Sequence, residues 1–317
     1  MRGGRHRRGA LAALLVGLVS LLTACGGGAE AGSEGGEGAV TVEHAQGSTS
    51  LEGTPQRIVV FDLGVLETLD DLGVEGIVGV PEVANLPEHL SEYASDDYTK
   101  VGSLKEPDFE QVNALEPDLI IVAARSAPAY GELSEIAPTV DLSVDTTNFL
   151  ASATERIETL GTLFGKEDAV RDRLDALSAK AEEVASSGAE DKTGLIVLTT
   201  GGKMSAYGPG SRFGIIYDDL GVKPAVDDLS ADTHGDAISS EFIAEANPDL
   251  LFVIDRDSAI GEAGQSAKQV LDNALVDGTT AAKEDGIVYL DPTRWYLTSN
   301  GLPSLEAMVT AVGDSVA

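Results

Sequence analysis

The chain has 317 residues, 53 acidic against 21 basic, and a formal charge of −32 at neutral pH. So large a negative excess excludes nucleic acid and an anionic membrane surface as electrostatic partners. Its single cysteine, Cys25, excludes an intrachain disulfide.

The first element is a leader. Arg2, Arg5, Arg7 and Arg8 precede an apolar run from Ala10 to Leu22, and Leu22-Thr23-Ala24-Cys25 leads into three glycines. A charged start, a short apolar stretch and small residues at the cut read as a secretory signal over 1–24. The run is too short to span a bilayer as a helix. Its Leu-Thr-Ala-Cys ending resembles a lipobox, which implies that Cys25 is acylated and becomes the first mature residue. An ordinary signal peptide with an incidental cysteine is the plainer alternative. Retention by acyl chains needs more than one of them. From Gly26 to Gly38 nothing apolar exceeds alanine in size, so residues 25–39 read as a flexible tether. Cleavage removes four of the 21 bases and no acid, leaving 17 against 53 and a formal charge of −36.

The body alternates short apolar runs with helical stretches. Ile58-Val59-Val60-Phe61 is followed by a helix through Glu67, Thr68 and Leu69, then by Gly76–Val80, stopped at Pro81, and by Leu119–Val122. Leu195–Leu198, Leu250–Ile254 and Ile287–Leu290 repeat the pattern in the second half. Continuous apolar runs separated by helices indicate strands covered on both faces, hence an α/β fold with mainly parallel sheets. Between the halves, residues 151–190 carry leucines and alanines at helical spacing, with charges between them and no proline. They read as one long connecting helix, interrupted near Gly165. The expected architecture is therefore two Rossmann-like lobes, 40–150 and 191–317, joined by that helix.

An internal repeat supports the two lobes. Glu110, Pro117-Asp118-Leu119 and Arg125 match Glu241, Pro248-Asp249-Leu250 and Arg256 at a constant offset of 131 residues. Each unit reads as helix, Pro-Asp turn, buried strand and then an arginine. Ligands of open α/β sheets bind beyond the carboxyl ends of the strands. Two facing lobes would therefore aim Arg125 and Arg256 into one cleft.

Catalytic signatures are sparse. There is no Gly-x-Ser-x-Gly elbow, Walker loop or His-Glu-x-x-His helix, and none of His6, His44, His89 and His234 has a second ligand at metal-binding spacing. Arginines carry more information. Arg212 lies in the tight loop Ser205–Gly214, and guanidinium groups converging with Arg125 and Arg256 would bind a multiply charged oxygen anion. Local pairing with acids such as Asp255 or Asp257 is the alternative for any one of them.

At this point the chain resembles the siderophore-binding proteins of ABC importers, in the class with two lobes joined by one long helix, and within it the ferric-catecholate subgroup. The resemblance runs over nearly all of the mature chain. It rests on residues 101–109, 206–216, 233–242 and 290–297, of which the second and fourth stretches are the distinctive ones. It implies that Arg125, Arg212 and Arg256 hold a trianionic ferric complex; Tyr207 joins them as a ligand-binding candidate, and Trp295, beside Tyr296, would stack on a ligand ring. It implies that His234 and Tyr296 complete the iron's coordination when the siderophore supplies only four oxygens, chemistry that suits a hard ferric ion. Trp295 also reads as a core residue, His234 as a loop histidine and Tyr296 as a core-edge tyrosine. Glu110 and Glu241 would dock onto two permease subunits, although glutamates are common on solvated helices of so acidic a chain.

The resulting expectation is a monomeric, lipid-anchored, extracytoplasmic binding protein at the outer face of the cell membrane. It has no intrinsic cofactor, takes ferric iron as a siderophore complex, and delivers it to an ABC permease. A cell without an outer membrane would gain most from such a tether. Alternatives are the same fold binding a hydroxamate siderophore, haem or cobalamin, or a surface-attached hydrolase.

Overall fold

The computed structural model describes residues 39–317. The signal over 1–24, Cys25 and the tether lie outside the described residues, except that Ala39 opens the first strand. That strand, β1 (Ala39–His44), pairs antiparallel with β2 (Gly47–Glu52). The hairpin is tied to the first lobe where Thr49 Oγ1 donates to the Thr139 carbonyl (2.7 Å) and the Ala45 amide to the Asp141 carbonyl (3.3 Å).

The first lobe is a five-stranded parallel sheet of order β5-β4-β3-β6-β7, from β3 (Ile58–Val60), β4 (Ile77–Val80), β5 (Thr99–Lys100), β6 (Leu119–Val122) and β7 (Thr139–Asp141). Its central runs are apolar throughout because both faces are covered. Ile58, Val60, Leu119 and Ile121 pack on one side, Val59, Ile120 and Val122 on the other.

The second lobe is a six-stranded mixed sheet, from β8 (Thr193–Thr200), β9 (Lys203–Tyr207), β10 (Lys223–Pro224), β11 (Asp236–Ile238), β12 (Leu250–Asp255) and β13 (Ile287–Tyr289). Strands β8, β12 and β13 are parallel, whereas β9 and β11 form an antiparallel edge. The reversal falls at Gly201-Gly202, where φ is +55° and +72°. Two adjacent positive-φ residues make the two-residue hairpin turn whose twist suits its strands.

The 131-residue repeat is visible in the backbone. Glu116 and Asn247, one offset apart, both take left-handed conformations (φ +45° and +42°) that end their helices ahead of the Pro-Asp turn. The following aspartates then serve the same purpose. Asp118 accepts the amides of Gln56 and Arg57 before β3, and Asp249 accepts the amide and hydroxyl of Thr193 at the start of β8.

The helical stretch between the lobes divides at Gly165, which has φ +63° and terminates Phe149–Phe164 before Glu167–Ser186 begins. Only the first piece crosses. Phe149, Ala153 and Ile157 belong to the second lobe's core, and Leu160, Leu163 and Phe164 to the first's. The connector is therefore Phe149–Phe164, shorter than the 151–190 span, and the second piece lies with Val170, Leu174, Leu177, Ala181 and Val184 in the second lobe's core.

A second junction holds the lobes. The helix Leu63–Asp71 of the first lobe packs on Leu302–Val316, and its Glu67 is 1% exposed. The Glu67 carboxylate accepts the Ser304 amide and hydroxyl (3.2 and 3.0 Å), lies 2.7 Å from His89 Nε2, and has Arg294 at 3.7 Å. Burial pushes its titration above the ordinary carboxylate range, against the Ser304 hydrogen bond and the charges of His89 and Arg294. Thr68 Oγ1 accepts the Leu302 amide, and Arg173 joins Asp71 to Glu306. Replacing Glu67→Ala strands buried Ser304 donors and should lower unfolding free energy by about 2–3 kcal/mol. Urea denaturation followed by Trp295 fluorescence measures it; a loss below about 0.5 kcal/mol, the scatter of ordinary surface changes, would show that this junction is not stabilising.

Candidate functional site

A cavity of about 800 Å³ lies between the lobes, and Arg125, Arg212, Arg256, Tyr207, His234 and Tyr296 all line it. Each arginine arrives by a different local device. After β6, Ala124 adopts φ +43° and turns the chain, its amide held by the Ser143 hydroxyl (2.7 Å) and that of Ala123 by Ser126 (3.1 Å). Left-handed backbone at an alanine is costly, and such strain persists where the surroundings fix it. Arg125 is the next residue. Arg256 opens the helix Arg256–Ile260 directly after β12, capped by Asp255. Arg212 comes from the loop after β9, where the Gly210 amide donates to Asp218 (2.7 Å) and holds the turn ahead of the helix Ile215–Asp218.

The three guanidinium groups meet at one residue. Tyr296 ends the helix Pro292–Tyr296, and its carbonyl accepts from Arg125 (2.7 Å) and from Arg212 (2.9 Å). Its hydroxyl accepts from Arg256 Nε (3.0 Å). The Arg125, Arg212 and Arg256 carbons lie 5.3, 4.6 and 5.7 Å from the Tyr296 ring centre, a cation–π arrangement shared by all three. Arg212 is also stacked on Phe213 at 4.8 Å. Acids are not absent. Arg256 stands 3.6 Å from both Asp257 and Glu262, so its charge is partly answered locally.

The titration shifts follow from this crowding. Burial, with Arg125 adding to it, pushes the Arg212 guanidinium down to about 10. For Tyr296, burial alone would raise the phenol, but the Arg256 hydrogen bond and the charges of all three arginines outweigh it and lower it. Burial raises Tyr207, which stands edge-on to Phe213 at 4.9 Å, while Arg212 opposes the shift. The cavity is thus cationic inside a strongly acidic protein, and it holds a phenol that ionises more readily than usual.

His234 is exposed on the loop ahead of β11. Gly235 next to it has φ +61°, and a Cβ there would fall 2.4 Å from the Ala206 carbonyl and 3.1 Å from the Tyr207 ring. Only glycine lets this loop close on β9 and bring His234 to the cavity. Trp295 is the exception among the expected ligand-binding residues. It is 1% exposed, packs in the second lobe's core and does not line the cavity, because its place in the helix turns it away from the face that Tyr296 presents. The expectation that it stacks on a ligand is corrected: Trp295 is a core residue.

Glu110 and Glu241 lie elsewhere, each the second residue of its helix, in Phe109–Ala114 and Ser240–Ala246. Both are exposed. Thr200, Lys105, Asp62 and Asn300 also line the cavity, and sequence reading named none of them as a site residue. Thr200 Oγ1 accepts from Arg256 (3.1 Å), and Asn300 donates to Asp62 (2.9 Å) across the lobes. Lys105 alone carried a signal, its place within the stretch 101–109 on which the resemblance rests.

A sequence model of the periplasmic binding protein family matches residues 58–293. The petrobactin-binding protein YclQ of Bacillus subtilis is 43% identical over 313 residues, covering 96% of this chain and 98% of that protein. Its crystal structure superposes with a TM-score of 0.83 over 88% of this chain and 99% of its own. The ferric-anguibactin-binding protein FatB of Vibrio anguillarum is 34% identical, covering 85% of each chain. The periplasmic catecholate-siderophore binding protein VctP of Vibrio cholerae is 36% identical with a TM-score of 0.83, over 86% of this chain and 99% of its own. With matches of this extent and identity the chain belongs to the periplasmic binding protein family.

Proposed function

We propose that this protein captures a ferric siderophore of the catecholate type in the interlobe cavity and delivers it to an ABC permease. The observation that carries this reading is the convergence of Arg125, Arg212 and Arg256 on Tyr296. A ferric tris-catecholate is trianionic, and three guanidinium groups in a partly dry cavity neutralise it with charge-assisted hydrogen bonds. A neutral hydroxamate complex makes no such demand. The relatives named for petrobactin, ferric anguibactin and catecholate siderophores support the same class of ligand.

Tyr296 and His234 give the cavity a second capability. A ferric ion held by only four catecholate oxygens has two open positions, which a phenolate and an imidazole suit. Against burial, the Arg256 hydrogen bond and the charges of the three arginines hold the Tyr296 phenol below its ordinary range, so its phenolate forms more readily than a free tyrosine's. Tyr207 forms a wall beside Arg212. No covalent bond of the siderophore is made or broken, and it leaves chemically unchanged, unlike the product of a surface hydrolase. The body acts as a monomer, held outside the cell membrane by acylated Cys25 and its tether. Glu110 and Glu241 engage one permease subunit each.

Titration of the purified protein with ferric mono-, bis- and tris-catecholates and with ferric hydroxamates tests the ligand class. Ferric catecholates should quench Trp295 fluorescence at micromolar concentration or below, since the indole neighbours the cavity wall in sequence. Replacing Arg125, Arg212 and Arg256 together by alanine should weaken tris-catecholate binding by roughly 1000-fold or more, given about 1.5–3 kcal/mol for each charged hydrogen bond. Unchanged affinity, or preference for a hydroxamate, sinks the catecholate reading. Direct ligation has its own signature: a shift of the iron charge-transfer band on binding a ferric bis-catecholate. Tyr296→Phe and His234→Ala should each abolish that shift and leave tris-catecholate binding within about 3-fold. Retention of the shift in both variants assigns them to packing instead.

A further inference from the structure

Outside the cavity, the described residues expose three large apolar side chains, Phe109, Leu275 and Tyr289, at 39%, 42% and 41%. Tyr289 has a local partner, since the Lys268 ammonium lies 5.1 Å from its ring centre. Each of the other two is tied to one member of the glutamate pair through the helix that carries it. Phe109 immediately precedes Glu110 at the start of its helix. Leu275 belongs to the short helix Ala274–Asp277, which packs on Ser240–Ala246 and is joined to it where Asn273 Nδ2 donates to the Ser240 hydroxyl (3.1 Å). Ser240 directly precedes Glu241.

The two pairs are equivalent in chemistry but not in sequence. The repeat partner of Phe109 is Ser240, too small to offer an apolar surface. In the second lobe a neighbouring helix supplies the hydrocarbon instead, so the pairing of carboxylate with apolar side chain does not follow from the repeat. Neither side chain is used by its own core, because Val112 is the buried residue of the helix of Phe109 and Val276 that of the helix of Leu275. Both glutamate-bearing helices turn back through Pro-Asp into β6 and β12 and so run antiparallel to them. Their first residues therefore lie at the strands' carboxyl end, the side on which the cavity opens.

We propose that Phe109 and Leu275 are the apolar halves of two matching contacts, Phe109–Glu110 and Leu275–Glu241, each seated on one of two like subunits of a membrane partner. The complementary surface carries a basic side chain next to an apolar socket. Charge selects a cationic partner for the two exposed glutamates. The hydrocarbon supplies the desolvated centre that a lone, solvent-exposed ion pair lacks. The inference rests on the docking role proposed for Glu110 and Glu241 and adds to it the residues that give the contact its strength.

ATPase stimulation of the host's ferric-siderophore importer, reconstituted in nanodiscs and titrated with the full binding protein, reads the contact directly. Phe109→Ser and Leu275→Ser should each raise the half-stimulating concentration by roughly 10-fold, on the scale of burying half of a large apolar side chain. Tyr289→Ser, an equally exposed control whose ring already faces Lys268, should leave it within about 2-fold. Equal thermal midpoints for the variants establish that their folds are intact. If the double variant F109S/L275S stimulates like the native protein while E110A/E241A does not, the carboxylates dock alone and this inference is overturned. If E110A/E241A also stimulates normally, or the native protein fails to stimulate, the docking role itself falls and the inference with it.

Discussion

Holding three guanidinium groups around a single ring is the constraint on which the cavity depends, because like charges at such spacing repel. Two unit charges about 8 Å apart repel by roughly 2 kcal/mol at an effective dielectric of about 20. Tyr296 makes the cluster tolerable by offering its carbonyl to Arg125 and Arg212, its hydroxyl to Arg256 and its ring face to all three. The compensation is incomplete: Arg212, lowered chiefly by burial, is lowered further by the charge of Arg125. An arriving anion relieves repulsion that is already present, and it meets donors already in place. That is preorganisation in electrostatic form.

The cluster draws Arg125 from one lobe and Arg212, Arg256 and Tyr296 from the other, so it exists only if the lobes keep their separation. Several contacts fix it. Glu67 and Thr68 bind the chain entering the last helix, Asp62 binds Asn300, and Asn85 donates to the Ser258 and Ala259 carbonyls (both 3.1 Å). The connector Phe149–Phe164 enters both cores rather than hanging between them. Such a frame favours a small closure over a wide hinge, since wide opening would expose the Glu67 carboxylate's partners and part of both cores.

Much of this was legible in the sequence because parallel strands buried on two faces write themselves as unbroken apolar runs. Every such run became a strand. The repeat carried further still: it located Arg125 and Arg256 and, through Pro-Asp, the aspartates that clamp β3 and β8. What escaped has physical causes. Lys203–Tyr207 and Asp236–Ile238 form an antiparallel edge in which polar residues interrupt the apolar ones, so neither shows an unbroken apolar run. The hairpin at Ala39–Glu52 alternates weakly and is stabilised by contacts about 90 residues away. Trp295 and Tyr296 are neighbours in sequence with opposite fates, because a one-residue step on a helix rotates a side chain by about 100°. No composition signal distinguishes the buried one from the one in the cavity.

The two acceptors of Tyr296 differ in what a ligand can do to them. Its carbonyl is part of a helix end and stays where the backbone puts it, so Arg125 and Arg212 keep their aim whether the cavity is empty or filled. Its hydroxyl is at the tip of a side chain, and Arg256 is the one guanidinium whose aim depends on it. On the proposed reading, a phenolate turning to meet ferric iron needs a lone pair directed at the metal. Arg256 can remain on the other lone pair and stabilise the negative charge there. It is also the arginine with acids within reach, Asp257 and Glu262, and with the Thr200 hydroxyl beside it. Those contacts hold Arg256 in the cavity through any movement of the phenol. The cluster thus divides into two arginines fixed by backbone and one buffered by side chains, which suits a site that must accept complexes with and without open positions on the iron.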